Sequence, residues 1–275
     1  MRKVLITGAT SGFGRLLVEE FLKNGDFVIA TGRRLTERSE LLADLRSKYP
    51  QKLQELSMDV TVASEVTSVF KLVDRLDILI NNAGFGLFGP LEDLKDQDIR
   101  HQMEVNFFGT VSVTQTFLPL IRASKGKIFN FSSVFGFMGF PMTSLYCASK
   151  FAVEGLTESL RGELAPFGVQ VCLIEPGGYN TNFGPGLSWS QNSQSPYASQ
   201  VTRYQDLRQK VSKKKTYGDP REVATGLVEL SSRSKLPMRK VFGRDGKISS
   251  FLRSKLPTPL YWGLMDRVFA KLFYK

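Results

Sequence analysis

Through its first 180 residues the chain alternates short β-rich apolar runs with longer amphipathic stretches. The strand-like runs are Lys3–Thr7, Phe27–Thr31, Leu53–Met58, Asp77–Asn81, Lys127–Phe131 and Val169–Glu175. The helix-like stretches are Arg15–Asn24, Thr36–Lys48, Ala63–Arg75, Lys95–Ala123 and Thr143–Phe167. Strands separated by helices are joined by crossovers, which predicts βαβ units and a buried parallel sheet. The unbroken apolar run Val171-Cys172-Leu173-Ile174 fits a strand covered on both faces. No repeat or linker divides the chain. Gly184–Gln200, rich in Ser, Asn, Gln and Pro, reads as a mobile loop. It follows a strand end, where open α/β sheets bind ligands, so a lid is the functional expectation.

Composition narrows the chemistry. At 275 residues and 42% hydrophobic content, the chain can bury a core without disulfides or metal. Its two cysteines, Cys147 and Cys172, and its one histidine, His101, leave no Cys/His zinc set. A serine-hydrolase triad would need His101, which sits in a polar stretch and reads as a surface residue. No apolar run reaches the ~18 residues of a membrane span. The first strand begins almost at Met1, so a secretory leader is not expected and a cytoplasmic location is. The net charge of +11 is concentrated at the end: residues 233–275 carry 11 basic and 2 acidic side chains. Such a tail attracts anionic surfaces or ligands. No nucleic-acid-binding module accompanies it, and nucleic acid is the least favoured partner.

The first turn reads Thr7-Gly8-Ala9-Thr10-Ser11-Gly12-Phe13-Gly14 between a strand and a helix. Glycines there allow a tight turn, close approach to a pyrophosphate and tight helix–strand packing. The helix adds free N–H groups and the positive end of its dipole. The spacing is Gly-x-x-x-Gly-x-Gly, and no Gly-Lys-Ser/Thr follows, so a nucleoside-triphosphate P-loop is excluded. At the end of the second strand, where NAD-preferring sites carry an acid for the ribose 2′-OH, this chain has Gly32-Arg33-Arg34. Guanidinium forks match phosphate oxygens, which points to NADP(H).

Tyr146 and Lys150 are four residues apart and share a helix face. A nearby ammonium favours a phenolate and lowers a tyrosine's pKa, making it a usable acid/base. Ser133 lies 13 residues before Tyr146, just past a predicted strand, and can return to the same cleft. With Asp59-Val60, Asn81-Asn82-Ala83-Gly84, Asn106 and Pro176-Gly177 followed by Thr181, these motifs resemble the short-chain dehydrogenase/reductase family. The resemblance covers about residues 3–182. It implies a single Rossmann domain, a doubly wound sheet of about seven parallel strands. It also implies roles. Tyr146 is the acid/base. Lys150 binds the nicotinamide ribose and tunes Tyr146. Ser133, rather than Ser132, holds the substrate oxygen, and Asn106 holds a water that relays protons to Lys150. Cofactor contacts are implied for Gly8, Thr10, Ser11, Gly12, Phe13, Gly14, Arg33, Arg34, Asp59, Val60, Asn82, Ala83, Gly84, Tyr146, Lys150, Pro176, Gly177 and Thr181. No metal is implied.

The segments beside these motifs, Val134–Met142 and Phe85–Pro90, are apolar and uncharged. They favour a hydrophobic carbonyl or alcohol and disfavour charged sugars and small acids. Tyr146–Ala152 and the long tail resemble the hydroxysteroid and retinol dehydrogenase branch. A 3-oxoacyl-type reductase, or a protein that senses NADP(H) without turnover, is the alternative. We expect residues 1–246 to form the nucleotide-binding domain and 247–275 a helical extension. In that extension Leu260, Leu264, Met265, Val268, Phe269 and Leu272 fall on one helical stripe. The stripe predicts a helix docked on the body or a partner subunit, as in a homo-oligomer, or lying on an anionic membrane.

Overall fold

The computed structural model describes the chain apart from residues 182, 184, 185, 191, 193, 214–216 and 275. Strands β1 (Lys3–Ile6), β2 (Phe27–Gly32), β3 (Leu53–Ser57) and β4 (Ile78–Asn81) come first, and a two-residue strand β5 (Leu87–Phe88) follows. Then come β6 (Lys127–Phe131), β7 (Gln170–Pro176), a second short strand β8 (Ser188–Trp189) and β9 (Arg239–Phe242). Seven of them form one parallel sheet in the order β3-β2-β1-β4-β6-β7-β9, and β5 pairs with β8 in a separate ribbon. This is the Rossmann arrangement, with its topological switch point between β1 and β4.

Alternation along the strands sends side chains to opposite faces. Val4, Ile6, Val28, Ala30, Ile78 and Ile80 join one core, and Leu5, Ile29, Leu79 and Ile128 the other. Helix α1 (Gly12–Lys23) covers the first face, and α2 (Ala43–Lys48) is a short helix after β2. Helices α3 (Ala63–Phe70) and α5 (Gly109–Ala123) cover the second face with Val66, Val69, Val113, Phe117 and Ile121. Between them, α4 (Asp96–Met103) runs into a π-helical turn, Glu104–Phe108, that breaks the helix expected over Lys95–Ala123. Helix α6 (Ser144–Leu164) carries Tyr146 and Lys150. The expected loop Gly184–Gln200 is partly ordered: it contributes β8 and the start of α7 (Ala198–Lys213). Its residues 184, 185, 191 and 193, like Asn182, Lys214 and Lys215, lie outside the described residues.

Helix α8 (Arg221–Ser231) returns to the first face, and two helices end the chain, α9 (Arg244–Lys255) and α10 (Thr258–Phe269). Helix α10 is docked, but not by the stripe the sequence suggests. Its inward row is Tyr261, Met265 and Phe269, continued by Phe273. Leu260, Leu264 and Val268 form a second row, turned to solvent. Steps of four residues separate the members of each row, so a stripe that mixes them spans two faces.

Candidate active site

The carboxyl ends of the strands are locked together by side chains. Asn81 donates to Thr114 Oγ1 (2.9 Å) and Asn130 Oδ1 (2.8 Å), and Asn130 donates to Thr157 Oγ1 (2.9 Å). This buried network fixes β4 and β6 against α5 and α6. One layer above it, Thr7 Oγ1 accepts from the backbone N–H of Asn82 and of Ala83, both at 3.0 Å. Asn82 donates to Thr7 O (2.9 Å) and Gly8 O (3.1 Å). The β1 turn and the β4 loop are thereby a single rigid wall. Gly8 takes a φ of +64°, and a Cβ there would lie 2.9 Å from Ala83 Cα. At Gly14 a Cβ would fall 2.0 Å from Gly8 O, so only glycine lets α1 approach the turn.

The start of α1 has the features of an anion site. Ser11 at its N-cap makes no side-chain capping bond, and the first turn carries no acid. The N–H groups there are open to a phosphate. Thr181 Cβ would be 3.7 Å from a Cβ on Gly12, so the loop after β7 reaches this turn. Beyond β2 and β3 opens a cleft of about 770 Å³, lined by Arg33, Arg34, Arg38, Ser57, Asp59 and Glu65 among others. Arg38 joins the two expected arginines. It sits in the turns after β2, where no spacing rule in the sequence places it. Asp59 is held by Thr61, whose N–H (2.9 Å) and hydroxyl (2.7 Å) both donate to Oδ1. Val60 turns away to pack on Gly109. A glycine cradle, open helix N–H groups and a cleft whose three arginines stand beside three acids, Glu37, Asp59 and Glu65, fit a nicotinamide dinucleotide.

Tyr146 and Lys150 are buried on one face of α6. Ser133 Oγ accepts from Phe135 N at 3.2 Å, and the Ser133 hydroxyl is near enough to Tyr146 to act on its phenol. Lys150 Nζ donates to Phe131 O (2.8 Å) and lies 5.8 Å from the Tyr146 ring centroid. A lowered tyrosine pKa is the sequence expectation. In the folded chain burial dominates and pushes the phenol above its ordinary value, against the pull of Ser133 and of the Arg208 charge. Burial also pulls Lys150 down to about 8, with Glu154 opposing it from the next turn of α6.

Asn106 sits in the π-helical turn with its amide fully engaged. It donates to Phe85 O and Ser149 Oγ and accepts from Phe85 N, each at 3.0 Å. Its place is therefore to hold the strand-like segment at Phe85. A Cβ on Gly84 would lie 3.1 Å from Asn106 Oδ1 and 3.7 Å from Lys150 Nζ, so Gly84 bridges the two. Pro176-Gly177 is fixed by Gly177 N donating to Phe242 O (3.0 Å). Asp245, in the first turn of α9, accepts from Gly178 N at 2.7 Å and ties this loop to the C-terminal helices. His101 stays exposed, 5.2 Å from the Phe85 ring and outside the constellation.

Behind the constellation is a group the sequence did not announce. Glu154 and Glu175 are buried together, and Arg239 pairs with both and with Glu158. Burial, reinforced by the Glu154 charge, pushes Glu175 up to about 7. Beyond Tyr146, a shell of rings closes the site: Phe88 (5.7 Å), Phe183 (5.6 Å) and Phe135 (6.2 Å) all face the phenol ring. Tyr204 of α7, Trp189 of β8 and the inward row of α10 complete it. The shell has the apolar character expected of Val134–Met142 and Phe85–Pro90. It also carries a charge those segments lack, because α7 brings Arg208 to within 5.2 Å of the Phe88 ring.

The model of the short chain dehydrogenase family matches residues 2–191. The chain belongs to the short-chain dehydrogenase/reductase family. It is 36% identical to the uncharacterized oxidoreductase YusZ of Bacillus subtilis, with 98% of each chain covered. It is 34% identical to a 3-ketodihydrosphingosine reductase of Bacteroides thetaiotaomicron, with 87% of each covered. Among solved structures, a short-chain dehydrogenase from Streptomyces avermitilis is 34% identical and superposes with a TM-score of 0.82, covering 99% of this chain and 96% of its own. This member of the family is thus an oxidoreductase whose fold carries a nicotinamide dinucleotide site. The nucleotide and the substrate are the finer questions.

Proposed function

We propose that this chain is an NADPH-dependent reductase of a ketone or aldehyde on a hydrophobic, lipid-like molecule. The observation that carries the reading is the enclosure of the Tyr146 phenol by rings from three separate parts of the chain, Phe88, Phe135 and Phe183, within a larger aromatic shell. Arg33, Arg34 and Arg38 support the 2′-phosphate form of the cofactor. The name of the Bacteroides relative, a 3-ketodihydrosphingosine reductase, is that of an enzyme acting on a lipid ketone.

When bound, NADPH supplies hydride to the carbonyl carbon. The chain's own residues do the rest. Ser133 holds the carbonyl oxygen beside the Tyr146 hydroxyl, and Tyr146 gives that oxygen its proton. A phenol pushed upward by burial stays protonated at neutral pH and is a ready donor, which suits reduction. Lys150, with a pKa near 8, holds positive charge next to the phenolate as it forms and can refill it with a proton. The Asn81–Asn130–Thr157 network keeps the strand ends beneath these groups from shifting. NADPH consumption on a panel of long-chain and short polar ketones tests the reading. Long-chain substrates should be favoured, and Tyr146→Phe should cut turnover by several orders of magnitude while nucleotide binding persists. Near-native turnover by that variant would refute the mechanism.

The outward row of α10 favours a site of action at a lipid surface. Leu260, Trp262, Leu264 and Val268 are exposed, and Arg267 and Lys271 stand near them. Co-sedimentation with anionic vesicles, weaker with neutral ones and lost in L260S/L264S/V268S, is the expected outcome.

A further inference from the structure

We propose that Arg208 is an anion-binding subsite that selects substrates carrying a sulfonate, phosphate or carboxylate a few bonds from the reacting carbonyl. The inference rests on the reductase reading above and names the class of molecule within it.

The geometry starts from α7. Arg208 lies one turn after Tyr204, so both side chains leave the same helix face. Its guanidinium sits 5.2 Å from the centroid of Phe88 and 5.9 Å from that of Tyr204, two rings stacked on each other at 6.1 Å. Phe88 is in turn packed on the catalytic Tyr146 ring. The cation is therefore one ring removed from the acid/base and close enough for its charge to act on that phenol.

What surrounds the guanidinium decides its purpose. Two other half-buried arginines have acids, Arg221 with Glu19 and Glu20 and Arg239 with Glu154, Glu158 and Glu175, and Arg161 is taken up by the carbonyls of Val171 and Leu236. Among the described residues no carboxylate comes within salt-bridge distance of Arg208, which is half-buried. Among the described residues it is held against the two ring faces, those of Phe88 and Tyr204. Ring faces stabilise the cation and hold its plane, but they leave most of the five N–H donors at its rim unused. A planar fork held against aromatics with its rim free is built to take an oxyanion in bidentate fashion. The same rings provide the wall for an apolar chain, so one molecule can satisfy both: an alkyl body in the shell, a carbonyl at Tyr146 and Ser133, and an anionic group at Arg208.

Trp189 packs on both Phe88 (5.6 Å) and Tyr204 (5.9 Å) and reports on this corner. In a Trp262→Phe background it is the sole tryptophan. Fluorescence titration with 1-decanesulfonate, decyl phosphate, decanoate and 1-decanol, each below its micelle-forming range, measures the preference without turnover. We expect the best of the three anions to bind at least about tenfold tighter than decanol. Arg208→Gln should abolish that ratio and Arg208→Lys should restore part of it. The ranking of the three anions identifies which group the subsite takes. Equal binding of anions and alcohol by the native chain overturns the proposal, as does a ratio unchanged in Arg208→Gln. So does an Arg208→Gln effect confined to the pH profile of turnover, which would make the residue a tuner of Tyr146. If no carbonyl is reduced but the anion ratio and its loss persist, the reductase reading fails and the subsite stands.

Discussion

Replacing Lys150 with an apolar residue should make the fold more stable at neutral pH. Lys150 is buried, and its pKa falls from an ordinary 10.5 to about 8. At 1.36 kcal/mol per unit, the charged lysine costs the native state about 3 kcal/mol relative to the unfolded chain. In Lys150→Met that cost disappears. The Phe131 carbonyl then loses its 2.8 Å donor, which costs about 1–2 kcal/mol. The net gain at pH 7 is about 1–2 kcal/mol. Its pH dependence has a definite sign. Between pH 8 and 10.5 the unfolded chain binds the lysine proton more tightly than the native one, so native stability rises with pH there. The advantage of Lys150→Met should shrink above pH 8, close near about pH 9 and reverse beyond it. Urea unfolding of both proteins across pH 7–10, without added nucleotide, reads the difference directly. Turnover by the variant should be lost throughout. A variant less stable than the native chain at pH 7, or a gap that does not change with pH, would show that the lysine is not held at a desolvation cost.

Other outcomes follow from the cofactor cleft and from the docked tail. Arg33→Ala and Arg38→Ala should each shrink the preference for NADPH over NADH, by roughly tenfold for a phosphate contact of about 1.5 kcal/mol. The check is kcat/KM with both nucleotides, and a native preference for NADH would overturn the assignment. Tyr261, 1% exposed, has a hydroxyl with no partner among the described residues. Tyr261→Phe should therefore be neutral or stabilising by up to about 1 kcal/mol. Tyr261→Ala should lose about 3 kcal/mol in urea unfolding as the inward row of α10 is undone.

What could be read from the sequence depended on how locally each feature is encoded. Strands β1, β2, β3, β4, β6 and β7 lie within a residue or two of their expected limits; all but β3, a half-buried edge strand, are largely buried and leave an apolar run in the chain itself. The edge strand β9 left none: Arg239 and Lys240 are half its length, and Arg239 is there to pair with Glu154 and Glu175, which arrive from α6 and β7. The Tyr146–Lys150 pair is a spacing within one helix and is visible at once. Ser133 needs the family resemblance to be chosen over Ser132. The sign of the Tyr146 shift could not be read at all. It depends on how much solvent the surrounding rings exclude, and those rings come from α7 and α10 as well as from the motif regions.

The C-terminal hundred residues matter for the same reason. Asp245 fixes the Pro176-Gly177 loop, and the inward row of α10 closes the aromatic shell. On the proposed reading the shared motifs fix where the carbonyl sits, and that constraint leaves the N-terminal portion little freedom. On the same reading, selection among substrates falls to the parts that follow no motif, β8, α7 and α10, which join the cluster around Tyr146 only through tertiary contact. A residue such as Arg208 can thus change which molecule is accepted without altering any spacing that defines the family.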